Sequence, residues 1–163
     1  MSNNEKLTWK RGIFKCAFQL FSGQEQVGKL TPSWKTMSAS GQINDNNYHF
    51  KTSEWKGQSL ILNKDNQEVI GRIKFSKWMH KATIELGGEV YRWKFSNLWE
   101  SKWKIISKDE TLQFSGHTCK GSMDYVATQE VLALAGLFIG NYFWNMAAIY
   151  AAVIIPLFAA GGL

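Results

Sequence analysis

The sequence predicts a mainly β protein: an antiparallel meander that closes, or nearly closes, into a barrel, followed by a long hydrophobic C-terminal helix that continues as a membrane segment. Three observations carry that reading. Between Leu7 and Val126 the chain is a series of short runs in which apolar and polar residues alternate, the pattern of half-buried strands. Hairpin-length polar turns separate the runs, which favours antiparallel neighbours. From Val131 to Leu163 the character changes to 33 residues without Lys, Arg, Asp, Glu or His.

The strands follow in order. Ile13 to Phe21 (IFKCAFQLF) is the first firm run; Gln26 to Leu30 and Thr36 to Ile43 are weaker, and Tyr48 to Thr52 and Ser59 to Leu62 are brief. Glu68 to Phe75 (EVIGRIKF) sets Val69, Gly71, Ile73 and Phe75 on one face and Arg72 and Lys74 on the other. Lys81 to Leu86 turns Ala82, Ile84 and Leu86 inward, and Val90 to Phe95 does the same with Tyr91, Trp93 and Phe95. Trp103 to Ile106 and Thr111 to Phe114 complete the series. Asn63 to Asn66, Gly87-Gly88 and Lys108-Asp109 read as hairpin turns. About ten strands in one small domain predict closure, because closure removes exposed edges. Ile73, Ile84 and Trp93 are expected to be buried against the C-terminal helix.

The apolar stretch is too long for one bilayer crossing. As a helix it would measure about 50 Å, whereas a span needs roughly 20 residues. A single span from Val131 to Ile155 would also place the amides of Asn141 and Asn145 at the bilayer centre, an unfavourable position. Dividing the stretch removes the conflict. Three parts result: a β domain over 1–126, a hydrophobic helix buried in protein over 127–145, and an apolar tail over 146–163 that anchors the chain. Val131 to Asn141 is then the buried helix, and Phe143 to Ala160 a separate apolar segment. Tyr142, Trp144 and Asn145 mark the candidate membrane interface, where aromatic rings with a polar edge are favoured. Because Leu163 is the last residue, the segment reads as a tail anchor, and Pro156 would kink it or limit its last turns. Gly136 and Gly140, in GLFIG, are spaced for close helix packing against another surface, whether the protein's own or a partner's. Asn141 and Asn145 share a face and read as satisfied structural amides. Glu130 opens the helix where a carboxylate suits the dipole.

All 19 Lys and Arg, and 12 of the 13 acids, precede residue 127, so Met1 to Val126 carries +7. A basic domain beside an apolar segment follows the positive-inside pattern, with the bulk of the chain in the cytoplasm. It would also attract an anionic leaflet or, less favourably, nucleic acid. Five of the eight Trp precede Lys, at Trp9, Trp34, Trp55, Trp93 and Trp103. Two readings stay open for them: rings inside a barrel with the lysines solvated, or an aromatic and basic surface for lipid headgroups or single-stranded nucleic acid. No export signal precedes the domain. Cys16 and Cys119 are too few for a disulfide framework and are expected to be reduced, with packing roles. Phosphate loops, zinc-protease, CxxC and nucleophile-elbow motifs are absent. His117 and Cys119 could supply two metal ligands but lack companions, since His49 and His80 stand in unrelated segments. The expectation is therefore a non-enzymatic protein with no cofactor and no metal.

The EVIGRIKF strand, the KATIELGGEVYRWKF hairpin from Lys81 to Phe95 and the helix from Glu130 to Asn141 together resemble the tubby C-terminal-like superfamily, which includes the LURP-one-related proteins and the phospholipid scramblases. The resemblance covers roughly Leu7 to Asn145. It implies a barrel of about a dozen strands closed around the C-terminal helix as an apolar plug, and a non-enzymatic role at or near membranes. Two departures limit what carries over. Met146 to Leu163 exceeds what a plug needs, and neither an acidic calcium loop nor a phosphoinositide site has matching residues, so scrambling and phosphoinositide binding are not implied. The function expected is a membrane-associated binding or scaffold module. The alternatives are a small subunit of a larger membrane complex, a soluble tubby-like barrel, and a nucleic-acid-binding barrel.

Overall fold

A computed structural model describes residues 5–12, 17–53, 56–78 and 80–161. Twelve strands run in sequence: β1 (Glu5–Arg11), β2 (Phe18–Ser22), β3 (Glu25–Ser33), β4 (Ser38–Ile43), β5 (Asn46–Ser53), β6 (Gln58–Asn63), β7 (Val69–Phe75), β8 (Lys81–Leu86), β9 (Glu89–Phe95), β10 (Lys102–Ile106), β11 (Thr111–Gly116) and β12 (Lys120–Tyr125). Each pairs antiparallel with its sequence neighbours, and β12 returns to β1, so the sheet is a closed barrel. A short 3₁₀ turn at Ala127–Gln129 leads into α1 (Glu130–Ala160), the one α-helix among the described residues.

The strands that seal the barrel are the two that alternation does not single out. β1 turns only Leu7 and Trp9 inward, and β12 only Met123 and Tyr125. Two apolar residues per strand make a weak periodic signal. What joins these strands is their register, with Trp9 opposite Gly121 and Leu7 opposite Met123. Residues 13–16 of the expected first strand lie outside the described residues, and its described part becomes β2.

One face assignment is corrected. In β7, Ile61 of β6 pairs with Gly71 and the next residue, Leu62, with Val69, so Ile70 is an extra residue on the bulged strand. The bulge moves Ile70 against the core and leaves Val69 half exposed, while Ile73 and Phe75 keep their inward positions. Beyond it the alternation holds. Ile73 and Ile84 face each other across β7 and β8, and both are buried, as is Trp93.

The barrel's interior is filled by α1. Residues Val131 to Asn141 and Phe143 are buried among the inward side chains of the strands. Trp93 Nε1 donates to the Gly136 carbonyl oxygen at 3.2 Å, and Phe50 stacks on Phe138 with centroids 4.8 Å apart. Each large side chain so enclosed contributes about 1.5–3 kcal/mol relative to exposure. The helix does not divide into separate segments as expected. It is one continuous helix from Glu130 to Ala160, because nothing between Asn141 and Phe143 breaks helical geometry, and Phe143 belongs inside the barrel rather than to a later segment. Pro156 lies within the last turns, and the helix ends four residues after it.

Candidate functional site

The site is α1 itself, followed from the end where it enters the barrel to the end where it leaves. At the first end Glu130 is held by polar groups of the wall. Its carboxylate accepts hydrogen bonds from Tyr48 Oη at 2.8 Å, from Asn44 Nδ2 at 3.1 Å and from Asn46 Nδ2. Asn44 Nδ2 also donates to Tyr125 Oη at 3.2 Å. No side chain caps the helix at Gln129, so this carboxylate in the first turn supplies the favourable charge. Burial, then the bond to Glu130, push the Tyr48 phenol well above its ordinary range. Burial, then Glu89, push Tyr91 nearby up to about 12. A phenol whose pKa is raised by folding contributes stability that is fully present below its unfolded value and lost as pH rises toward the folded value. Denaturation midpoints are therefore expected to fall as pH rises from about 10 toward 12, and Tyr48→Phe is expected to flatten that decline.

Midway, the two glycines of GLFIG meet the barrel wall. A methyl group added at Gly136 would lie 2.3 Å from Phe114 Cζ, whereas one at Gly140 would meet Trp103 at 3.5 Å or more. Trp103 and Phe114 stack on one another with centroids 5.6 Å apart. The close packing is therefore with the protein's own barrel, and these glycines are not available to a partner subunit. One further turn along, Asn141 is buried and its Oδ1 has no hydrogen-bond partner among the described residues; the indole N–H groups of Trp9 and Trp103 share that condition. The expectation of a satisfied amide is thus corrected for the Asn141 Oδ1, which finds no donor among the described residues.

At the exit, aromatic rings seal the mouth. Tyr142 stacks on Phe75 at 3.8 Å between centroids, Phe143 stands edge-on to Phe75 at 5.8 Å, and Trp144 stands edge-on to Trp103 at 5.2 Å. Tyr142, Trp144 and Asn145 are half-buried here, between the wall and the outside. From Ala147 to Ala160 the helix is exposed on all sides and apolar. By length and composition α1 is the one described helix long and apolar enough to cross a membrane.

The eight Trp divide by position. Trp9, Trp93 and Trp103 lie inside, and Trp55 falls outside the described residues. Trp34, Trp78 and Trp99, with Leu98, are 71%, 84%, 88% and 98% exposed. Sequence reasoning did not select these four as site residues. The available signal was their place in turns, where no strand alternation turns a ring inward.

Elsewhere the wall offers less. A groove of about 550 Å³ on β3–β5 is lined by hydroxyls and His49. Several of its polar groups satisfy one another, as Ser40 Oγ does with His49 Nδ1 at 3.3 Å and the Thr52 N–H with Ser38 Oγ at 3.0 Å. Burial, then Lys51 and Lys64, hold the His49 imidazole below its ordinary range. Cys119 is exposed on the turn between β11 and β12, not packed as expected, because that turn projects from the barrel's end. Cys16 lies outside the described residues. Among the described residues no group of three or more His, Cys, Asp or Glu could hold a metal ion. No protein-family model, no curated protein and no solved structure matches the chain.

Proposed function

We propose that this chain is a non-enzymatic, membrane-associated binding or scaffold module, with the outer half of α1 in lipid and the barrel on the cytoplasmic face. The observation that carries the reading is the change of surroundings along one apolar helix. Val131 to Asn141 is enclosed by the barrel, and Ala147 to Ala160 is bare. Soluble monomers seldom expose a continuous apolar surface of that size, and the barrel has no room left to take it in. A bilayer accepts it, since every backbone group of a helix is satisfied internally. The +7 charge of Met1 to Val126 supports the cytoplasmic orientation. The tubby-like resemblance supports the same reading through its layout, a barrel wrapped around a C-terminal helix.

Extraction tests it. The full chain is expected to stay with membranes in alkaline carbonate and to leave them in detergent. A chain ending at Asn145 is expected to fold without detergent, since its remaining helix lies inside the barrel. A full-length chain that is monomeric in detergent-free buffer overturns the proposal.

A further inference from the structure

The strand register sorts the connections into two groups at opposite ends of the barrel. The turns after β2, β4, β6, β8 and β10 lie at the Glu130 end, and those after β1, β3, β5, β7, β9 and β11 lie at the end where α1 leaves. Trp34, Trp78, Leu98 and Trp99, all strongly exposed, belong to the exit end: Trp34 follows β3, Trp78 follows β7, and Leu98-Trp99 follow β9. The loops that carry them are braced. Asn97 Oδ1 accepts from the backbone N–H of Ser101 at 3.1 Å and of Lys102 at 3.0 Å, which leaves Leu98 and Trp99 projecting. Ser76 N–H donates to the Lys81 carbonyl at 2.9 Å, closing the loop that presents Lys77 and Trp78. Lys35 Nζ lies 5.7 Å from the centroid of the Trp34 ring.

Charge divides the same way. The turns and helix start at the Glu130 end carry Asp45, Asp65, Glu68, Asp109, Glu110 and Glu130, against Lys64 and Lys108. The described loops at the exit end carry Lys35, Lys56 and Lys77 against Glu100, with Arg11, Lys81 and Lys120 on the strand ends beside them.

From this geometry we infer that the exit rim is a docking surface for an anionic bilayer leaflet, with Trp34, Trp78, Leu98 and Trp99 set into the headgroup–acyl boundary around the emerging helix. The inference rests on the membrane reading above. Two physical arguments select this occupant. Indole rings favour the interfacial layer and lysines beside them meet lipid phosphates, so one rim satisfies both preferences. The second is length. Met146 to Ala160 spans about 22 Å at 1.5 Å per residue, short of the roughly 30 Å hydrocarbon core. A barrel held off the surface would waste part of that reach in the headgroup layer, whereas a rim seated in the layer gives all of it to the core. The acidic end then faces away from the leaflet.

The test uses the full chain in vesicles of phosphatidylcholine, with and without phosphatidylserine, with bromine on the acyl chains near the headgroup as a quencher of indole fluorescence. The wild-type chain is expected to be quenched, and Trp34→Ser/Trp78→Ser/Trp99→Ser to lose most of that quenching while still floating with the vesicles. Exchange of exposed rings should leave the circular dichroism unchanged. Lys35→Glu/Lys77→Glu/Lys120→Glu is expected to reduce the preference for phosphatidylserine vesicles, in competition with neutral ones, by at least about tenfold. A chain that floats with the vesicles while its three rim indoles escape quenching overturns the docking surface and leaves the anchor standing. A chain that does not float overturns both. A rim whose fluorescence responds to a single-stranded RNA oligonucleotide and not to lipid also overturns it.

Discussion

Gly136→Leu is expected to lower the stability of the barrel severely, while Gly140→Ala, four residues along the same helix face, leaves it unchanged or slightly raised. The difference lies in what stands opposite each Cα. The first methyl group at Gly136 would already sit 2.3 Å from Phe114 Cζ and 2.6 Å from Cε1. Phe114 is buried and stacked on Trp103, so the ring has no free direction in which to retreat. Moving the helix back instead would stretch the bond from Trp93 Nε1 to the Gly136 carbonyl. Overpacking of a filled core typically costs about 1–3 kcal/mol, and a leucine at the tightest point of a plug belongs at the upper end of that range or above it. That is a large part of a domain's total stability of about 5–15 kcal/mol. At Gly140 the nearest Trp103 atom is 3.5 Å from an added methyl group, an ordinary contact. There the roughly 1 kcal/mol by which alanine exceeds glycine in helix propensity is available. Thermal melts of the two variants in detergent decide the matter. Equal melting temperatures would mean that the helix is not clamped at Phe114.

Much of this architecture is legible in the sequence. KATIEL and VYRWKF alternate cleanly because each has one face on the core and one in water, and β8 and β9 have the expected faces. Gly87-Gly88, both at positive φ, form the expected hairpin turn. What escaped followed from long-range pairing. β1 and β12 stand about 110 residues apart in the chain and are strands because they pair with each other; neither has enough apolar residues to announce itself. The Ile70 bulge was hidden because a single inserted residue reverses alternation without changing composition. The helix continues outward as expected, but without the expected break after Asn141, because the environment, not the backbone, changes near Asn145. The exposed rim tryptophans were counted in the sequence, but their common location appears only once the odd-numbered turns are gathered at one end of the barrel.

Asn141→Leu is expected to stabilise the protein, the reverse of what most core substitutions do. Asn141 is 3% exposed, and its Oδ1 finds no donor among the described residues. It lies on the plug between Gly140 and the aromatic pair Tyr142 and Phe143. A buried polar group without a partner costs about 1–3 kcal/mol in desolvation. Leucine has the same branching and the same number of side-chain heavy atoms, with bulkier methyl ends, so the exchange removes that cost without opening a cavity and adds apolar burial. Asn141→Ala tests the two effects separately, because it removes the same amide but leaves a void whose cost offsets the gain. Asn145 is the control: it is only half-buried at the mouth, where water or headgroups reach it, so Asn145→Leu should change little. Guanidinium denaturation of the full chain in detergent is expected to rank Asn141→Leu above wild type by about 1–3 kcal/mol, with Asn141→Ala near or below wild type. A lower midpoint for Asn141→Leu would mean that the amide is hydrogen-bonded in solution and that the plug depends on it.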